Sequence, residues 1–137
     1  MCMNAAINNT NCTNGEIRLV GSSSPWEGNL EVCFSGRWGS VCHDRWDRVD
    51  AETTCRLLGF GNGSLALPTR GGFFGFLDGP IFIDEVGCIG NETEFLQCAS
   101  MDVGNHDCNR FRYAGVICTG EFLHNNNDYD LCLPRIL

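Results

Sequence analysis

Residues 37–61 read RWGSVCHDRWDRVDAETTCRLLGFG. The stretch changes period half-way along. Its first part, RWGSVC, follows NLEVCF across Ser35 and Gly36. In NLEVCF the residues Leu30, Val32 and Phe34 fall on one face, with Glu31 and Cys33 on the other, so the two runs read as a β-hairpin. From Val49 the spacing becomes helical. Ala51, Cys55 and Leu58 share a face, Asp50 is placed to cap the start, and Gly59 stands where a helix stops. Between strand and helix lies a short segment dense in chemistry: Cys42, His43, Asp44, Arg45, Trp46, Asp47 and Arg48.

Outward from this stretch the chain holds further short elements. EIRLV (16–20) alternates as a strand does, and PIFIDEV (80–86) carries Ile81, Ile83 and Val86, which favour extended geometry. NETEFLQC (91–98) reads as a short helix that Asn91 could cap, with Glu94 three residues on. A glycan on Asn91 would compete with that role. YAGVIC (113–118) reads as a last strand. The glycine-rich run 59–79 reads as one long loop, with Phe73, Phe74 and Phe76 packing beneath it. Trp38 is expected in the core, and Trp46 as a partial cover over it. These elements make a mixed α+β unit over residues 15–118. Polar, Asn-rich segments flank it, 1–14 as an N-terminal linker and 119–137 as a C-terminal linker or the start of a following region.

Ten cysteines in 137 residues point to a disulfide framework. No C-x-x-C pair is present, and zinc fingers and ribbons need such pairs to bring two thiolates to one ion. Four sequons agree with an oxidising, secretory compartment, with acceptors Asn8, Asn11, Asn62 and Asn91. The first residues, MCMNAAINN, contain no apolar core of a signal peptide, and no run is long enough to span a membrane. The expectation is a piece of a larger secreted or cell-surface protein. A net charge of −8 argues against nucleic acid as a dedicated partner. All nine basic residues are arginine, the side chain suited to forked contacts with anions.

The motifs W-G-x-V-C (38–42), A-x-x-x-C-R-x-L-G-F (51–60), G-P-I-x-I-D-x-V-x-C (79–88) and A-G-V-x-C (114–118) stand in order. Together they resemble the scavenger receptor cysteine-rich (SRCR) domain, from about Ile17 to Cys118. The resemblance implies a curved, largely antiparallel sheet cradling one α-helix, stapled by Cys42–Cys108, Cys55–Cys118 and Cys88–Cys98. Trp26 and Phe60 stand where the larger subgroup has a further cysteine pair, so the chain is similar to the six-cysteine group A type. Four cysteines remain. Cys12 and Cys33 could pair if their strands are neighbours, as in a variant seen in invertebrate members. Cys2 and Cys132 could join the tails or bridge to other domains. Four cysteines allow three connectivities, and all stay open at this point.

The resemblance also implies cation sites of the calcium type. Calcium takes about six to eight oxygen ligands, so carboxylates from separate loops must converge on it. At the family's first site this chain has His43, Asp44 and Phe111, only one of them a carboxylate, and that site is expected to be lost. At the second it has Asp44, Asp84 and Asp107, which predict one weak Ca2+ site. Arg45, Arg48, Arg110 and Arg112 lie on the two segments that Cys42–Cys108 would tie together, and they are candidates to grip anionic ligands.

The function expected is that of a non-catalytic extracellular module, binding polyanionic or microbial surfaces or extracellular proteins with help from a cation. The alternative is an accessory domain in a secreted enzyme, of serine protease or lysyl oxidase type, or in a matrix protein. Catalysis by the unit itself would need a nucleophile, a base and an orienting group together. Ser40 and His43 are the nearest approach to that, and the cysteines are expected to be taken up in bridges. The tail HNNNDYD lacks the glycine and glutamate of an EF-hand loop.

Overall fold

The computed structural model describes residues 12–61, 65–104, 106–108 and 111–118. Cys2, Asn8, Asn11, Asn62, Arg110 and Cys132 lie outside the described residues.

The hairpin forms as its pattern dictates. Strand β1 is Ile17–Val20, β2 Glu27–Phe34 and β3 Arg37–Val41. β2 and β3 pair antiparallel with Phe34 opposite Arg37. Ser35 and Gly36 both sit at positive φ, 54° and 78°, the turn that matches strand twist. Leu30 and Val32 are wholly buried, as their face requires. The other face is covered as well. Glu31 is 7% exposed and bound by Arg18, and the Arg18 guanidinium lies 4.2 Å from the centre of the Trp38 ring. Trp38 is therefore only half-buried, on the far face rather than in the main core.

Helix α1 spans Arg48–Leu57 and starts earlier than the expected cap at Asp50. Asp47 is the cap. Its Oδ1 accepts the Asp50 N–H at 3.0 Å, and Asp50 Oδ2 accepts the Asp47 N–H at 2.9 Å. The D-x-x-D spacing makes a reciprocal capping box. Leu58 closes the helix and Gly59 follows at φ 92°, the left-handed exit that glycine adopts at least cost.

Strand β4, Ala66–Thr69, lies inside the run read as loop, and its Pro68 masks it in the sequence. A proline is tolerated there because β4 is an edge strand, paired with one neighbour. β5 is Ile81–Ile83, and β6 is Gly115–Cys118. The sheet runs β4-β6-β2-β3-β5, with β1 also on β2. Every pairing is antiparallel except β3 with β5. The result is a curled, mixed sheet holding the single α-helix of the described residues.

The main core unites Leu30, Val32, Val41, Ile83, Val86 and Val116 of the sheet side with Ala51 and Cys55 of the helix. Trp46 is 0% exposed and donates its indole N–H to Gly115 O at 2.8 Å. It is a central core residue, not a cover. Trp26 and Phe60 pack against this core half-buried.

The short helix expected in 91–98 is a single 3-10 turn, Phe95–Gln97. Asn91 does not cap it. Gln97 Oε1 accepts the N–H groups of Thr93 and Glu94 instead, so the Asn91 side chain is exposed and not engaged as a cap. The phenylalanines of the long loop are not all beneath it: Phe73 is 68% exposed and Phe76 47%.

Four disulfides staple the described residues: Cys12–Cys33, Cys42–Cys108, Cys55–Cys118 and Cys88–Cys98. Cys12 precedes β1, which pairs with β2, and this neighbourhood brings it to Cys33.

Candidate cation and ligand site

The end of β3 delivers Cys42, His43 and Asp44 to one corner of the molecule. Cys42 N–H donates to Ile83 O, and His43 N–H donates to Arg112 O, each at 2.8 Å. These bonds set the β3 end between β5 and the segment leading into β6. The Cys42–Cys108 bridge then holds the 106–108 loop against the same corner.

Asp84 follows β5 directly and is 0% exposed. Its Oδ2 accepts the Asp107 N–H at 3.3 Å, and its Oδ1 is buried without any partner. A carboxylate oxygen of Asp84 and one of Asp44 lie within 4.8 Å of each other. Cys42 Sγ falls within the same distance, but it is bonded to Cys108 and offers no thiolate. Two oxygens on opposite sides of a calcium ion stand about 4.6–5.2 Å apart, twice the usual bond length. The pair therefore fits such an ion, and an unpaired buried carboxylate oxygen calls for a cation or a donor. Asp107 is exposed and contributes its backbone N–H to Asp84 rather than its carboxylate to that 4.8 Å group.

The first-site positions hold different chemistry. The Arg112 guanidinium makes an ion pair with Asp44 through Nη2 and Oδ1. Two donors face the His43 ring: Gly71 N–H at 2.8 Å from Nδ1, and Arg112 Nε at 3.3 Å from Nε2. A neutral imidazole has one lone pair for two such donors, and the shorter Gly71 contact takes it. Burial, then the Arg112 charge, lowers the His43 pKa, and the Asp44 carboxylate opposes them. Phe111 is 62% exposed at φ 76° and packs against Phe76 with the rings tilted, their centres 5.3 Å apart. Phe76, expected beneath the loop, is thus exposed beside Phe111, the residue before Arg112.

The arginines separate. Arg45, at φ 64°, pairs with Glu85, at φ 56°, at 3.5 Å. Arg48 stands at the start of α1 and pairs with Glu52 one turn on at 2.9 Å. Exposed pairs of this kind contribute roughly 0–1 kcal/mol. Arg70 was not singled out from the sequence. It donates to Trp46 O and, with Arg45, Asp47, Glu85 and Met101, lines an open groove of about 660 Å³. Its signal was its position, three residues before Phe73 in a glycine-rich loop.

Residues 20–119 match the family description "Scavenger receptor cysteine-rich domain". The chain belongs to the SRCR family. The third SRCR domain of murine neurotrypsin is 40% identical to it, superposes with a TM-score of 0.68, and the match covers 75% of this chain and 94% of that one. The SRCR domain of mouse MARCO, in its dimeric form, is 34% identical with a TM-score of 0.61, over 74% of this chain and 93% of that one. SRCR domains are extracellular ligand-binding modules and generally non-catalytic. No helix among the described residues is long and apolar enough to cross a membrane.

Proposed function

We propose that this SRCR domain binds anionic ligands outside the cell through a surface centred on Asp44 and Asp84, with calcium bound between these carboxylates. The observation that carries the reading is the Asp84 carboxylate, wholly buried, with one oxygen lacking a partner close to an oxygen of Asp44. Calcium is favoured over zinc because the available donors are hard carboxylate and carbonyl oxygens. The ion would be held by Asp44 and Asp84, with the 106–108 loop, including Asp107, adjacent. Bound there, it supplies positive charge and open coordination positions to a ligand. Arg45, Arg70 and Arg112 flank the site, and Arg48 and Arg110 extend the same chemistry along the chain. Polyanionic or microbial surfaces and acidic extracellular proteins are the ligands this charge pattern fits. The domain spans 15–118 in this reading, within a secreted protein or an ectodomain, with glycans on the sequon asparagines, of which Asn91 is exposed.

Titration calorimetry with calcium tests the metal. The wild-type domain is expected to bind one ion in roughly the 10⁻⁴–10⁻³ M range typical of extracellular modules. Asp84→Asn is expected to abolish the heat while keeping the fold. Equal heats in both proteins would remove the site.

A further inference from the structure

Arg112 and a metal ion would compete for the same carboxylate. Asp44 is committed through Oδ1 to the Arg112 guanidinium, and it is also the residue that meets Asp84. None of the ion pairs among the described residues reaches Asp84, which keeps a buried, unpartnered oxygen. The guanidinium thus neutralises one half of the site and leaves the other half unserved. We infer that Arg112 is the resident cation of this site, and that a divalent ion enters by displacing the guanidinium from Asp44 and releasing it toward the ligand surface. The inference rests on the calcium reading above and adds the residue that sets its affinity.

Three features of the corner make displacement possible. The Arg112 backbone is fixed, because its carbonyl accepts the His43 N–H at 2.8 Å, so only the side chain needs to move. That side chain is 38% exposed, against 22% for Asp44, which gives the guanidinium a path to water. Its hold on the His43 ring is weak, since the Gly71 N–H already takes the lone pair at 2.8 Å and Arg112 Nε stands at 3.3 Å. A metal ion and a guanidinium cannot both sit on Asp44 without strong repulsion, whereas the ion also satisfies Asp84. The released guanidinium, on the residue after the exposed Phe111, is then able to fork onto a sulfate or carboxylate. A cation would assist anion binding by freeing an arginine as well as by its own charge, and linkage requires an anion gripping Arg112 to favour the ion in return.

The experiment is calcium calorimetry on the wild type, Arg112→Gln and Arg112→Lys, with the Arg112 Nε–H resonance of the wild type followed by NMR during the titration. Arg112→Gln is expected to bind calcium at least about tenfold tighter, a difference of about 1.4 kcal/mol. Arg112→Lys, which keeps the charge, is expected near the wild type, and the Arg112 resonance is expected to move with calcium occupancy. Equal or weaker binding by Arg112→Gln, with normal binding by the wild type, overturns the inference and leaves the calcium reading standing. Binding by Arg112→Gln alone upholds Arg112 as the resident cation and removes calcium from the wild-type function. Binding by neither protein removes both. If Arg112→Gln does not fold, a wild-type resonance that stays fixed through saturation overturns the inference by itself.

Discussion

Asp50 serves two partners from one side chain. One oxygen completes the helix cap with Asp47, and the other accepts the Cys88 N–H at 2.8 Å, fixing the Cys88–Cys98 loop to the helix. Burial raises its pKa to about 6, against the lowering effect of the Cys88 and Asp47 N–H donors. A carboxyl that titrates higher folded than unfolded stabilises the fold fully below about pH 4 and loses that contribution as the pH rises through about 6. Thermal melts should therefore show wild type losing stability relative to Asp50→Asn between about pH 4 and about pH 6.5. A gap that stays constant, or that widens in favour of wild type, would contradict this. Glu92 runs the other way: burial raises its pKa, but the Ile89 and Gly90 N–H groups outweigh it, so the net shift is down and acidification removes its contribution. From the sequence Asp50 was expected as the cap; Asp47 takes that place and Asp50 is the third residue of the box. Only the mutual bond, spaced D-x-x-D, distinguishes the cap from its third residue. Asp44 and Asp84 were legible as candidate ligands through the family resemblance, but which of the nearby arginines would hold Asp44 was not. A side chain's choice among three nearby partners depends on rotamers that a sequence does not carry.

At the scale of elements, strong periodicity was readable and weak periodicity was not. The β2–β3 hairpin and α1 declared themselves through alternation, a turn pair and a helical face. β4 did not, because four residues with a proline carry no period. The 3-10 turn at Phe95–Gln97 was readable as helical but not as so short. Trp46, Phe73 and Phe76 were misplaced for a shared reason: a large aromatic among charges or glycines has no local pattern to say which way it faces. Gly39 makes the parallel contact of β3 with β5 possible. A Cβ there would stand 2.4 Å from the Phe82 ring. Gly39→Ala is expected to destabilise the domain by about 1–3 kcal/mol, the usual cost of overpacking, measured by urea denaturation. Unchanged stability would mean that β5 can move away freely.

For the whole molecule, the disulfides decide which distant segments meet. Cys55–Cys118 joins α1 to β6 across 63 residues, and Cys12–Cys33 closes 21. The entropy of the loop each one closes predicts a loss of about 4 kcal/mol for removing the first and about 3 kcal/mol for the second. Denaturant titration of the two double-serine variants should rank them so, and a reversed order would contradict the loop argument. The group A pairing was legible because the motifs stand in order and carry four of its six cysteines, Cys42, Cys55, Cys88 and Cys118. The Cys12–Cys33 pair needed the observed β1–β2 pairing to become one choice among three. The curl of the sheet brings the ends of β3 and β5 to one corner, and the Cys42–Cys108 staple keeps the 106–108 loop there.

Crystals of the domain grown with millimolar calcium, or with a lanthanide in its place, test this arrangement most directly through anomalous scattering. The expected result is one peak between Asp44 and Asp84, within about 2.3–2.6 Å of an oxygen of each. A map with no ion there, and Arg112 still seated on Asp44 at saturating metal, would contradict the account.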